Sequence, residues 1–390
     1  MKGRKRALTA ANAFRFVLVL GMVNLFADVT YEGASSINGQ FLGMLGASAA
    51  AIGAIAGISE FLGYSLRFVA GYISDRTGKY WLVTFVGYAI NLLAVPALAL
   101  AGSWQTAAVL VVAERVGRAI RKPTVEAMLS YTTGTLGKGW VYALNNGLDQ
   151  AGGSIGPLLM ALVLFLKGGY RTGYAVLLGS TLLALATLTI ARLFFPNPAR
   201  LEPRPTATLK RFTRSYWLYT LAGACIGAGL VSFELIAYHF STAGTIADEW
   251  IPVFFSLAMA VDGVAGLILG RLFDRNGTPV VLVAFFLSSL FAPLVFLGSL
   301  PIALAGMVLW GIGFGAQDTL LKALIAGVLP EGRRNLAFGL FYAGYGGGWL
   351  LGSVTTGLLY GQSLLLLVAF SVAVQLVSLP VFFLAERRRG

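Results

Sequence analysis

Long apolar runs alternate with short polar ones along the whole chain, and the two-residue rhythm of exposed strands is missing. A membrane helix needs about 20 consecutive, mostly apolar residues. Twelve stretches reach that length, at about 14–37, 47–73, 80–101, 104–130, 140–166, 170–195, 215–241, 247–270, 279–298, 301–328, 335–361 and 363–385. They are rich in Ala, Leu and Gly, and Gly in such a setting marks close helix packing. The ten-residue alternating segments of an outer-membrane barrel are absent. The first stretch follows a basic start, as a signal peptide does, but it runs on past Asp28 and Glu32 without a cleavage site, so it reads as a retained helix. The longest polar connection, 196–214, is basic and proline-rich. The expected organisation is an all-α membrane protein: a six-helix bundle over 1–195, a cytoplasmic linker over 196–214 and a second six-helix bundle over 215–390.

Composition narrows the class. Hydrophobic residues make up 57% of the chain and charged residues 12%, about half the usual charged share. That excludes a disordered chain and an ordinary soluble enzyme. One cysteine, Cys225, excludes a disulfide scaffold and a Cys-rich metal site. The net charge of +13 would suit a nucleic-acid binder, but the basic residues form no domain, so no nucleic-acid partner is expected. They fall instead at the N-terminus and in every second loop: Arg76 and Lys79, Lys138, the linker, Arg271 and Arg275, Arg333 and Arg334, and the tail. Basic loops stay inside. Both termini are therefore expected in the cytoplasm.

The loop after helix 2 reads Gly71-Tyr-Ile-Ser-Asp75-Arg76-Thr-Gly78-Lys79. The loop after helix 8 reads Gly270-Arg-Leu-Phe-Asp274-Arg275-Asn-Gly277, 199 residues further on, close to half of the 390-residue chain. Two copies of G-x-x-x-D-R-x-G in matching loops signal two repeats related by an axis along the membrane normal. With the twelve spans and the basic central linker, this pattern resembles the major facilitator superfamily (MFS), whose signature lies between helices 2 and 3. The resemblance implies alternating access, with Gly71, Asp75, Arg76, Gly78, Lys79, Gly270, Asp274 and Arg275 in gating. It also implies that helices 1, 4, 7 and 10 line a central path. On helix 5, Gly152, Gly156 and Pro157 are similar to part of the Gly-Pro pattern of proton-coupled antiporters, although Met160 and Ala161 stand where its trailing glycines belong. That points to a hinge and to export by proton antiport; an ordinary packing seam of small residues is the competing reading. On helix 4, Arg115 and Gly117 resemble the family's Arg-Gly pair at a shorter spacing, as in an orphan prokaryotic branch.

Charges at membrane depth cost at least about 2.5–3.5 kcal/mol each when unpaired near the centre. The spans nevertheless hold Asp28, Glu32, Glu60, Glu114, Glu126, Asp149, Glu234, Asp262 and Asp318, with Arg67, Arg115, Arg118, Arg121, Lys122 and Lys322. Asp28 and Glu32 are one turn apart on one face, and two such carboxylates do not both ionise cheaply, so one is a candidate proton carrier. Pairing with Arg115 or Arg118 is the alternative. The candidate proton-coupling or substrate cavity comprises Asp28, Glu32, Arg115, Arg118, Asp149, Glu234, His239, Gln317 and Asp318. Glu234 and His239 with Asp28 and Glu32 also compose an oxygen-rich cation site of undetermined metal. Nucleophile-elbow, H-E-x-x-H and Walker strings are absent, so neither an enzyme nor an ATP-driven pump is expected. The expectation is a monomeric secondary transporter, with no cofactor beyond a coupling proton, that exports a small organic molecule. A divalent-metal or organic-anion carrier, and a non-transporting sensor on the same scaffold, stay open.

Overall fold

The computed structural model describes residues 10–130, 132, 136, 138–196, 212–326, 328 and 334–387. These residues contain helices and no strand. Twelve helical spans follow in order: α1 (Ala10–Met44), α2 (Ala49–Thr77), α3 (Tyr80–Ala97), α4 (Trp104–Ser130), α5 (Lys138–Phe165) and α6 (Gly169–Phe194). Then come α7 in two segments (Arg214–Gly229, Phe233–Ala243), α8 (Ile251–Asn276) and α9 in two segments (Thr278–Ser289, Phe291–Leu297). Next is α10, running over Leu300–Ala316, a wide π turn at Gln317–Leu321, and Lys322–Ala326. The last two are α11 (Arg334–Tyr360) and α12 (Leu364–Arg387). Ten of these are long and apolar enough to cross a membrane on composition alone. The other two are α4, whose charges interrupt its apolar run, and α11. Twelve spans therefore agree with the hydrophobic pattern, with ends shifted by a few residues and α1 seven residues longer at its far end. The basic N-terminus, most of the 196–214 linker, Arg333 and the last two tail arginines lie outside the described residues.

Two apolar cores organise the molecule. One is built around Val17, Tyr88, Tyr174 and Leu188 of the first half, the other around Tyr219, Phe285, Trp310 and Phe382 of the second. The halves also share a local design. In each copy of the G-x-x-x-D-R-x-G string the final glycine stops the helix with a left-handed backbone: Gly78 at φ 66° and Gly277 at φ 68°. Glycine adopts that conformation without a Cβ clash. The first glycine of each copy faces an equivalent neighbour, Gly71 toward Pro123 of α4 and Gly270 toward Thr319 of α10. The repeat in the sequence is thus a repeat in space.

α7 breaks at Leu230–Ser232, which frees backbone carbonyls inside the protein. Those carbonyls are satisfied: Ser371 Oγ (2.6 Å) and Gln375 Nε2 (3.2 Å) of α12 donate to Gly229, and Trp310 Nε1 (3.0 Å) of α10 donates to Val231. Irregular backbone at membrane depth persists only where protein or cavity water meets its polar groups. The hydrophobic pattern predicts one continuous helix here, because the break lies within an apolar run.

Candidate functional site

A cavity of about 180 Å³ lies between the halves. Its lining comes from α1, α2, α4, α5, the α7 break, α8, α10 and α11; α3, α6, α9 and α12 contribute nothing to it. Helices 1, 4, 7 and 10, expected to line a central path, all contribute to it. The sequence reading undercounted the other helices, since α2, α5, α8 and α11 supply lining residues as α1, α4, α7 and α10 do.

The cavity is closed at one end and open at the other. At the closed end glycines let backbones of the two halves touch: Gly39 meets the Glu234 carbonyl, Gly43 the Tyr238 ring, Gly53 the Ser353 carbonyl and Gly57 Leu350. Polar contacts also cross there. Tyr170 donates to Asp248 Oδ2 (2.6 Å), Gln40 to the Asp248 carbonyl (3.3 Å) and Ser256 to the Ser154 carbonyl (3.0 Å). Toward the other end, which carries the α4–α5 and α10–α11 connections, Glu126, Asn146, Gly147, Asp318 and Lys322 are exposed or half-exposed.

The charged wall belongs mainly to the first half. Arg115 is a hub: its Nε is 3.2 Å from Glu60 and 3.5 Å from Glu114, and its Nη2 is 4.0 Å from Glu234 across the interface. Arg118 pairs with Glu32 at 3.5 Å and lies over the Tyr31 ring at 4.1 Å. Arg121 reaches Asp28 at 3.9 Å from behind the cavity. It is fixed there by Asn91 (3.1 Å) and Tyr88 (3.1 Å). The Asp28/Glu32 pair therefore does not stand alone: each carboxylate has its own arginine, from Arg121 and Arg118 respectively. Arg115 turns to Glu60 instead, and the involvement of Arg121 and Glu60 was missed. Helix spacing named the candidates, but the rotation of α4 against α1 and α2 decides which arginine meets which acid.

The remaining candidates are distributed as follows. Asp149 lines the cavity, accepts from Asn145 at 3.2 Å through Oδ2, and leaves a buried Oδ1 without a partner; neither Arg115 nor Arg118 reaches it. Gln317 and Asp318 line the cavity, and Asp318 pairs with Lys322 at 3.6 Å. Asp262, outside the expected set, lines it beside Gln150. His239 is a correction: it faces away from the cavity, sharing a hydrogen bond with Tyr360 (3.1 Å) and packing on Phe296. The five residues from Glu234 to His239 turn the imidazole to the other side of the helix. Among the described residues no group of His, Cys, Asp and Glu is placed to hold a metal.

The aromatic wall belongs to the second half: Phe233, Phe255, Trp310, Phe314, Tyr342, Tyr345 and Trp349, with Tyr64 opposite. Tyr342, Tyr345 and Trp349 share a helix face at i, i+3, i+7, a signal equally compatible with packing.

The helix-5 and loop motifs occupy different places. Gly152 meets the Leu25 carbonyl and Gly156 the Val29 carbonyl of α1, so both form a packing seam; α5 runs unbroken through Pro157. Arg76, Lys79, Asp274 and Arg275 are exposed at the ends of α2 and α8, and none of these four joins an ion pair among the described residues. The side chains of Asp75 and Lys138 lie outside what is described.

A family model for the Major Facilitator Superfamily matches residues 10–316 and 216–390. An uncharacterized protein of Mycobacterium tuberculosis is 35% identical over 389 residues, covering 96% of this chain and 93% of its own. An uncharacterized MFS-type transporter of Methanocaldococcus jannaschii is 26% identical over 360 residues, 88% of each chain. A bacterial homologue of the human lysosomal transporter Spinster, solved inward-facing and occupied, superposes with a TM-score of 0.74 at 14% identity over 96% of this chain and 97% of its own. On this evidence the chain is an integral membrane protein that belongs to the major facilitator superfamily.

Proposed function

We propose that this chain is a proton-coupled secondary transporter that exports a small organic molecule across a prokaryotic inner membrane. The observation that carries this reading is one cavity, closed at one end by glycine seams, whose wall holds acids both paired and unpaired. With both termini and the basic loops in the cytoplasm, the open end faces inward and loads substrate from inside the cell.

Each acid–arginine pair has a property suited to coupling. Arginine stays charged at any biological pH, whereas a carboxylate can accept a proton. A proton on Glu32 or Asp28 loosens its pair and frees Arg118 or Arg121 to reorient. Asp149, which lines the cavity and has a buried oxygen without a partner among the described residues, is the natural point of proton entry. The antiport direction rests on the sequence resemblance of the α5 Gly-Pro pattern alone, since in the fold its glycines pack against α1, and Asp75 with Arg76 would act at the cytoplasmic gate.

The test uses purified protein in liposomes under an imposed pH gradient, with flux of a compound panel and internal pH read together. Asp149→Asn, and Asp28→Asn combined with Glu32→Gln, are expected to abolish gradient-driven flux. Unchanged flux in both variants at every pH would remove these acids from coupling.

A further inference from the structure

Once ion pairs are assigned, the cations of the cavity divide into two kinds. Arg115, Arg118 and Lys322 each have a carboxylate within 4.0 Å, but Arg67 of α2 and Lys122 of α4 have none among the described residues. Among the described residues Arg67 donates through Nε alone, to the Gly63 carbonyl at 3.0 Å, and neither terminal amino group has an acceptor. Its guanidinium rests 4.7 Å from the Tyr64 ring centre and 5.7 Å from that of Tyr342, two rings stacked at 5.6 Å and 13°. Lys122 shares this part of the wall with Arg67, Arg118, Glu126 and Lys322, and it also lies toward Asp149 and Asp318, neither within 4.0 Å of it. A rigid fork of unused donors beside an ammonium matches a planar or tetrahedral oxyanion.

Two acids of the cavity, Asp149 and Asp262, also have no cation within 4.0 Å among the described residues, which would suit a cationic ligand. They differ in one respect: a proton neutralises a carboxylate, whereas Arg67 cannot shed its charge. An unpaired guanidinium at this depth is therefore the group that calls for an anion. Independent polar atoms await a ligand on the opposite wall. Among the described residues Trp349, 3% exposed, has no acceptor for its Nε1, and Gln317, 5% exposed, has no donor to its Oε1. Both line the cavity among aromatic rings. A volume of about 180 Å³ has room for one ring with a small head group, since about 150 Å³ admits benzene.

We propose that the substrate is a small organic anion with a planar body, its oxyanion held by Arg67 and Lys122 and its plane against the aromatic wall of α10 and α11. This rests on reading the cavity as the transport site, and not on the proton coupling. The oxyanion is a carboxylate or a phosphate ester, and the probes separate the two.

Purified protein is titrated with benzoate, phenyl phosphate, benzamide and benzylamine, with quenching of tryptophan fluorescence and calorimetry as readouts. One anion is expected to bind saturably, with the neutral amide and the amine about tenfold weaker or more. Arg67→Gln and Lys122→Gln are each expected to weaken the anion by about tenfold or more, and Arg67→Lys by less. If Arg67→Gln fails to fold, Lys122→Gln carries the test. Benzylamine binding as tightly as the better anion, no anion binding at millimolar concentration, or parent affinity in the folded glutamine variants would overturn the proposal. Anion binding without proton-driven flux would sink the coupling and leave this site standing; proton-driven flux of an amine would do the reverse.

Discussion

Arg115 gathers three glutamates, and removing it should destabilise the protein in a way that pH can reverse. At an effective dielectric of about 20, its contacts at 3.2, 3.5 and 4.0 Å are each worth about 4–5 kcal/mol of gross attraction. Desolvation offsets much of that, and breaking a buried pair from one side costs about 3–5 kcal/mol net. A proton on the orphaned acid sets a ceiling on the cost. A glutamate of ordinary acidity, about 4.3, costs about 3.7 kcal/mol to hold neutral at pH 7 and about 1 kcal/mol at pH 5. The damage in Arg115→Gln should therefore shrink as pH falls. Thermal unfolding in detergent reads this directly: a bundle this size shifts by about 2–4 °C per kcal/mol, so a loss of about 6–12 °C is expected at pH 7 and about 2–4 °C at pH 5. Adding Glu60→Gln should recover part of the loss at pH 7. Equal melting of parent and variant at pH 7, or an equal gap at both pH values, would refute the hub.

Two further outcomes test the closed end and the imidazole. Removing the Tyr170–Asp248 bond with Tyr170→Phe and Asp248→Asn should favour opening of that end by about tenfold or more, since a hydrogen bond to a charged group is worth about 1.5–3 kcal/mol. With the single cysteine removed as Cys225→Ala, a reporter Ser353→Cys should label faster with an impermeant maleimide; an unchanged rate counts against the latch. His239→Ala should cost about 1 kcal/mol of stability through the lost Tyr360 bond. Calorimetry with divalent cations should show no site heat in either protein, and a saturable heat in the parent lost in the variant would restore a metal site.

The sequence made the spans legible because each needs a long apolar run, and the repeat legible because Gly78 and Gly277 serve a backbone need that few residues meet. It also named most charged groups of the cavity, since an Asp or Arg at membrane depth stands out against Leu and Ala. What stayed hidden is rotational. In α1 polar and apolar residues are spread around the whole helix, so periodicity does not say which way Asp28 points or that Arg121 waits behind it. The α7 break was invisible for a related reason: the groups that stabilise it, Trp310, Ser371 and Gln375, lie far away in the chain. His239 was misplaced because its neighbour in sequence, Glu234, does face the cavity. Tyr342, Tyr345 and Trp349 share a face under either reading, and only packing shows that the face borders a void.

The wide turn in α10 separates two kinds of lining residue. Trp310 and Phe314 precede it, whereas Asp318 lies within it and Lys322 just after. A π turn holds one residue more than the regular winding, and one residue of α-helix is about 100° of rotation. Tightening that turn, or moving it along the helix, would swing Asp318 and Lys322 around the axis while the aromatic floor kept its place. Thr319, lodged against Gly266 and Gly270 of α8, is the tooth that such a movement would have to disengage. α10 is in this respect a clutch: its two ends can turn together or slip past one another by one residue, so that the mouth could change its charge without the floor changing its shape.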